Sequence, residues 1–229
     1  MTAFSLTFDV FPYRLSGLVV GALLNHAPAI SALGAAVHQP PYKAPLLAPV
    51  LAIKPRNTLA LSGANIEVPA GVAALEIGAS LGIVIGRIAC RVPQAAALNV
   101  VAGYTIVNDV SVPVPSHYRP SVRFRARDGF CPIGPGVVPA ADVAEPDALG
   151  VRVHVDGAVV HESSTAARQR GVASLIAAVT DFMTLQPGDV LLLGAAYGAP
   201  LVRAGQELAI TIDGLGTLHN RLVAQEMRA

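Results

Sequence analysis

A few short stretches hold most of the residues in this chain that could act on a small molecule. Lysine is scarce: Lys43 and Lys54 are the only two. Lys54 closes the apolar run Leu51-Ala52-Ile53 and opens the polar Pro55-Arg56-Asn57-Thr58. Lys54 and Arg56 there can grip carboxylates, the arginine in bidentate fashion, or stand as surface charges beside a turn. Asp109, in Asn108-Asp109-Val110-Ser111, reads either as a metal ligand or as a turn residue capping its own backbone. Arg125, Arg127 and Asp128 put three charges within four residues, directly before Gly129-Phe130-Cys131-Pro132. They fit an anion pocket for a di- or tricarboxylate, or a salt bridge of Asp128 with either arginine that orders the loop. Between Ser111 and Pro120 the chain carries three prolines, so this stretch reads as an irregular loop. Its Tyr118-Arg119 suits a lid or a substrate contact, unless Tyr118 simply packs on the prolines.

Other chemistries find little support. The two cysteines, Cys90 and Cys131, show neither metal-ligand spacing nor a disulfide framework. Two buried thiols in a cytoplasmic protein are expected. There is no Gly-x-Ser-x-Gly elbow and no P-loop, which argues against the usual serine hydrolases and nucleotide hydrolysis. His26 near the end of an apolar N-terminal strand reads as a structural histidine, and the other histidines do not cluster. A net charge of +1 and scattered arginines give no case for nucleic acid or a membrane surface. Mean hydropathy is high at +0.55, yet the early apolar run Leu18 to Leu24 falls far short of the roughly 20 residues a spanning helix needs. Asp9 and Arg14 interrupt the N-terminal apolar stretches, so no signal peptide is expected.

The elements that must position these residues are short strands. At 229 residues, 53% apolar and 14% charged, the chain can bury a full core. Residues 1–48 read as a small N-terminal strand and loop segment, and 49–229 as the main domain of one structural unit. The region Leu75 to Val92 carries the clearest strand, Leu81-Gly82-Ile83-Val84-Ile85. Pro93 predicts a helix over 93–102, ended by Gly103, with a strand over Tyr104 to Val107. Asp156-Gly157 between apolar runs predicts a hairpin, as does Asp213-Gly214-Leu215-Gly216 between Leu208 to Ile212 and Leu218 to Val223. Residues 171–184 fit an amphipathic helix, and Pro187-Gly188-Asp189 turns into a strand from Val190 to Leu193. The fold class that follows is α+β, mainly β, built as a curled mixed sheet.

In this order, the motifs resemble the fumarylacetoacetate hydrolase family. The likeness runs over about residues 15 to 225. It rests on Lys54 to Thr58, Gly103 to Ser111, Tyr118-Arg119-Pro120, Arg125 to Pro135, Pro187-Gly188-Asp189 and Gly214 to Leu218. Pro41 to Pro45, Lys54 to Thr58 and Arg127 to Gly134 look most like one branch, the bifunctional isomerase/decarboxylases of 4-hydroxyphenylacetate degradation. The chain resembles the first of their two homologous halves. The resemblance implies a curled roll or sandwich of the family's C-terminal-domain type. It also implies a small polycarboxylate substrate, a homodimer or a heteromer with a paralogous subunit, and Mg²⁺ or Mn²⁺.

Family members hold that metal through a Glu-x-Glu pair on a strand and an Asp further along. Alternate strand residues share a face, so such a pair aims two carboxylates at one point, and hard oxygen ligands suit Mg²⁺. Asp109 matches the Asp, but the Glu pair falls on Gly78 and Ser80. Glu76 shares their strand face, roughly 7 Å along from Gly78, and is the alternative ligand. Arg125 stands where catalytic members carry lysine, and Ala195-Ala196 follows Gly194 where many carry threonine. The candidate site is therefore Arg125, Asp128 and Lys54 as catalytic groups. Arg56, Asn57, Tyr118, Arg119 and Arg127 are substrate contacts, with Asp109 and Glu76 as metal ligands. Restoring the pair as Gly78→Glu/Ser80→Glu is expected to create metal affinity. The resemblance implies a subunit of an isomerase/decarboxylase acting on unsaturated 2-oxo polycarboxylates; the alternatives are a metal-free structural partner of a metal-bearing paralogue and a hydrolase or hydratase of a related 2-oxo or acylpyruvate-type acid.

Overall fold

The computed structural model describes residues 17–40, 43–44, 46–114 and 122–226. In chain order the strands begin with β1 (Val19–Leu23), β2 (Val50–Lys54), β3 (Leu59–Leu61), β4 (Asn65–Val68) and β5 (Leu75–Glu76). Next come β6 (Ala79–Ile85), β7 (Val101–Asn108), β8 (Cys131–Pro139), β9 (Gly150–Val155) and β10 (Ala158–Ser164). The last four are β11 (Val190–Leu192), β12 (Leu201–Val202), β13 (Glu207–Ile212) and β14 (Gly216–Ala224). The α-helices are α1 (Ala27–Leu33), α2 (Val122–Arg125) and α3 (Val172–Thr180).

Seven strands form one sheet in the order β2-β1-β11-β6-β7-β8-β3, and five form a second in the order β10-β9-β13-β14-β4. Both are mixed, because β1/β11, β3/β8 and β14/β4 pair in parallel. The protein is mainly β, with the curled mixed sheet expected from its sequence. Strand β6 is buried along its whole length, which explains its continuous apolar run: a strand covered on both faces has no polar side to show. The five-stranded sheet has one buried face. Its strands alternate, as in Val151, Val153 and Val155 of β9 and Leu208, Ile210 and Ile212 of β13.

Two clusters of buried side chains hold the fold. One lies between the sheets and takes in Ile83, Ile85, Ile106, Val153, Ile210 and Leu218. Helix α3 adds Val172, Leu175, Ile176 and Val179 to it, the spacing of a one-sided amphipathic helix. Asp147 caps the start of α3 by accepting from the Val172 N–H at 2.8 Å. The second cluster, including Val19, Val84, Val107, Val190 and Leu192, lies on the other face of the seven-stranded sheet. Gly82 belongs to that face, where an added Cβ would stand 2.7 Å from Val107 Cγ2.

Both predicted hairpins form, at β9–β10 and β13–β14. The stretch after Pro93 differs from expectation. It is a 3-10 segment over Gln94–Val100, and β7 begins at Val101. Gly103 does not end a helix; it lies inside β7 opposite Pro139 of β8. The glycine is there for closeness: a Cβ would press on the Val138 carbonyl oxygen and stand 2.8 Å from Val137 Cγ1. Gly103→Ala is therefore expected to lower stability by about 1–3 kcal/mol through overpacking, measurable as a reduced midpoint in chemical denaturation.

Candidate functional site

Asp109 sits where β7 ends, and the ladder fixes its place. Its N–H donates to the Gly78 carbonyl at 2.9 Å, and two residues on Glu76 and Ser111 exchange both backbone bonds. Asp109 therefore lies against Gly78, with Glu76 one pleat away. Two cations close on its carboxylate. Lys54 Nζ, at the end of β2, is 2.6 Å from Oδ1, and Arg125 Nη1 donates to Oδ2 at 3.0 Å. All three side chains are buried, Lys54 being 1% exposed and the others 6%. Lys54 Nζ also lies 3.0–3.1 Å from three backbone carbonyls, those of Val110, Arg125 and Phe130. Burial alone would push the Asp109 carboxyl up, but Lys54 and Arg125 outweigh it and hold the group below the usual carboxylate range.

A cavity of about 270 Å³ opens over this cluster. Glu76, Gly78, Asp109 and Arg125 form its polar end, while Ala22 to Leu24 and Ala195 to Ala199 supply the rest of its wall. Burial pushes the Glu76 carboxyl up; Arg125 pulls it back and Asp109 adds to the rise. The wall segment after β11 is tied down at several points. Gly194, at φ +101°, lets it turn within 2.5 Å of the Ala22 carbonyl oxygen, measured from where a Cβ would stand. The Tyr197 N–H donates to His26 Nδ1 at 3.0 Å, and the Tyr197 carbonyl meets His161 Nε2 at 3.1 Å. Arg168 donates to the Ala195 carbonyl. His26 is thus a satisfied structural histidine, and burial lowers its pKa, with Arg168 and His161 adding to the effect.

Glu76, Asp109, Arg125 and Lys54 come together as one cluster. Lys54 is neither a surface charge nor part of the cavity wall; it is an internal cation. The partner of Arg125 is Asp109, not Asp128. Asp128 is exposed and instead accepts from Asn57 Nδ2 at 2.7 Å. With Arg127 it lines a separate cavity beside Glu67 and Gln225. Arg56 is exposed and lies against Gly17. Tyr118 and Arg119 fall outside the described residues. Sequence reading missed the apolar wall from Ala22 to Leu24, which carries no chemical signature. A wider cavity of about 590 Å³ covers part of β13 and β14 around His154, Glu207, His219 and Arg221. It lacks a buried charge cluster of the kind that marks functional sites.

A curled mixed sheet with a buried acid–base cluster at one mouth defines a mainly-β enzyme-type domain. The chain belongs to the fumarylacetoacetate hydrolase family: the model for the fumarylacetoacetate (FAA) hydrolase C-terminal domain matches residues 18–223. It is 38% identical over 212 residues to the 4-hydroxyphenylacetate degradation bifunctional isomerase/decarboxylase of Salmonella dublin, covering 93% of this chain and 48% of that protein. The chain thus spans about half the length of such relatives. Among solved structures it resembles 5-carboxymethyl-2-hydroxymuconate delta-isomerase from Mycobacterium smegmatis. That match has a TM-score of 0.77 and 31% identity, covering 93% of this chain and 81% of the other. It also resembles 2-hydroxyhepta-2,4-diene-1,7-dioate isomerase from Mycobacterium marinum, with a TM-score of 0.76 and 30% identity, covering 94% and 78%.

Family members generally bind a divalent metal, and the residues present here do not fit one. Mg²⁺ needs oxygen ligands in near-octahedral order. Both Asp109 oxygens already face side-chain cations. Ser80 is buried, and its Oγ donates to the Leu81 carbonyl and accepts from the Gly194 N–H. Gly78 offers nothing, which leaves Glu76. Among the described residues no group of three or more His, Cys, Asp or Glu is placed to hold a metal ion. Restoring the Glu pair also meets an obstacle that the sequence did not reveal. A Cβ on Gly78 would stand 2.5 Å from the Asp109 carbonyl oxygen and 3.2 Å from its Cβ.

Gly78→Glu/Ser80→Glu is accordingly expected to lower the melting temperature and to show no stabilisation by Mg²⁺ or Mn²⁺ over a chelator control. Lys54→Met is expected to destabilise the fold by about 3–5 kcal/mol. It strips one counter-ion from a buried carboxylate and leaves three carbonyls without their donor; denaturant unfolding checks this.

Proposed function

We propose that this chain is one subunit of an isomerase/decarboxylase of 4-hydroxyphenylacetate (homoprotocatechuate) catabolism, acting on small unsaturated 2-oxo polycarboxylic acids. The observation that carries the reading is the match to one half of the bifunctional enzyme over 93% of this chain. The cavity supports it: a guanidinium at its polar end and a short apolar wall suit a small acid, and the volume equals that of about nine waters.

The reactions are loss of CO₂ from 5-oxopent-3-ene-1,2,5-tricarboxylate and isomerisation of 2-hydroxyhepta-2,4-dienedioate. In the first, the bond to one carboxyl carbon breaks and its electron pair passes along the conjugated chain to the 2-oxo oxygen. In the second, a proton leaves the enol oxygen and another reaches carbon. Within this reading, Arg125 holds a substrate carboxylate and spends binding energy on orientation. Arginine does not deprotonate in proteins, so Arg125 is not the base. Glu76 is the acid on the cavity wall placed to carry a proton, and its raised pKa suits that role. Arg56, Asn57, Arg127 and Asp128 lie apart and fit remote contacts at most. Tyr118 and Arg119 stay candidates from sequence.

A second reading has one observation in its favour. The chain's own cations occupy both Asp109 oxygens, so a metal-dependent step belongs to a metal-bearing paralogue and this chain completes the assembly. Turnover of the tricarboxylate by the purified chain tests both. Added Mg²⁺ alone is expected to change nothing, and the paralogous subunit is expected to raise turnover. Metal-dependent turnover by the chain alone would contradict the site geometry, and no turnover even with the paralogue would remove the proposed reaction.

A further inference from the structure

We propose that the guanidinium of Arg125 takes the place of a divalent cation in this pocket, which binds the carboxylate of a small 2-oxo acid with no metal. The inference rests on the reading above for the 2-oxo class; the carboxylate follows from the guanidinium that lines the cavity. At the floor of the cavity, two cations, Lys54 and Arg125, share a single carboxylate, Asp109. Lys54 is spent on Asp109 and three carbonyls, and it does not line the cavity. Arg125 does line it. A guanidinium carries five N–H donors in a planar fork. One of them, on Nη1, serves Asp109, and among the described residues the buried Nε meets no acceptor. A guanidinium whose fork is only partly used at a cavity wall calls for an anionic acceptor.

The same geometry keeps a metal out. A dication placed at Asp109 would meet a lysine and an arginine at the two oxygens it needs. Divalent metal and guanidinium are alternative answers to one electrostatic requirement, positive charge beside Asp109, and this chain has the covalent one. Glu76 is then no ligand. Of the two acids in the wall, Asp109 is matched by Lys54 and Arg125, so Glu76 is the one whose charge opposes an incoming anion, and its removal separates the two cases by sign: a neutral residue there strengthens an anion site and weakens a cation site.

The test is calorimetric titration of the intact chain with pyruvate, in chelator and again with Mn²⁺, and with methyl pyruvate as the uncharged control. Pyruvate is expected to bind equally in chelator and in Mn²⁺, and methyl pyruvate not to bind. Arg125→Met, confirmed folded by its melting curve, is expected to weaken pyruvate binding about tenfold or more, the loss of one charged hydrogen bond. Glu76→Gln leaves Lys54, Asp109 and Arg125 in place and is expected to tighten binding, which keeps the test valid if Arg125→Met does not fold. Binding that requires Mn²⁺, binding weakened by Glu76→Gln, equal binding of the ester, or no pyruvate binding at all would overturn the proposal. Because binding is read without turnover, this result is independent of the tricarboxylate assay: metal-free binding with no turnover would sink the assigned reaction and leave the anion site standing.

Discussion

The buried contact of Lys54 and Arg125 with Asp109 governs the architecture around it. Charges are rarely buried without partners, because desolvation costs several kcal/mol per ion. Here two cations and an anion are buried together, and the three N–H donors of Lys54 must find acceptors. They find them on three segments: Val110 after β7, Arg125 in α2 and Phe130 before β8. One ammonium group therefore draws together the ends of β7 and α2 and the start of β8. That convergence also places Arg125 at the cavity floor. Stability and site share the same atoms.

A second constraint is the space left by missing side chains. Gly78 lets the Asp109 backbone come in where a Cβ would collide, and Gly194 lets the segment after β11 turn against Ala22. The first closeness presses Asp109 onto the strand that carries Glu76; the second brings the Ala195 to Ala199 wall over the cavity. Ser80, which might have aimed a polar atom at the site, instead bonds the Gly194 N–H and helps fix that wall. Gly78 is thus a close backbone contact and Ser80 a structural hydroxyl.

The family relationship and the site's chemistry then fit together. The chain keeps the curled sheet of the fumarylacetoacetate hydrolase family and matches half of a two-part relative. Its Asp109 carries internal counter-charges. Such a pocket keeps a guanidinium in its wall and leaves the aspartate no free oxygen for a metal.

Much of the fold was legible in the sequence because it depends on local signals. The apolar run of β6, the Asp-Gly turn between β9 and β10 and the spacing of α3 each announce one element, since neighbouring residues alone decide them. Gly103 misled for a related reason: a glycine that ends a helix and one that admits a neighbouring strand look alike until β8 is in place. The family was also legible in residue order, and Lys54, Asp109 and Arg125 were singled out there. The pairing was not. Nothing local says that Arg125 meets Asp109 and not Asp128, that Lys54 is an internal cation, or that Gly78 is closed against Asp109. Those facts join residues 16 or more positions apart, and they were settled only when the sheet brought the ends of β2, β6 and β7 to one point and burial made each charge find its partner.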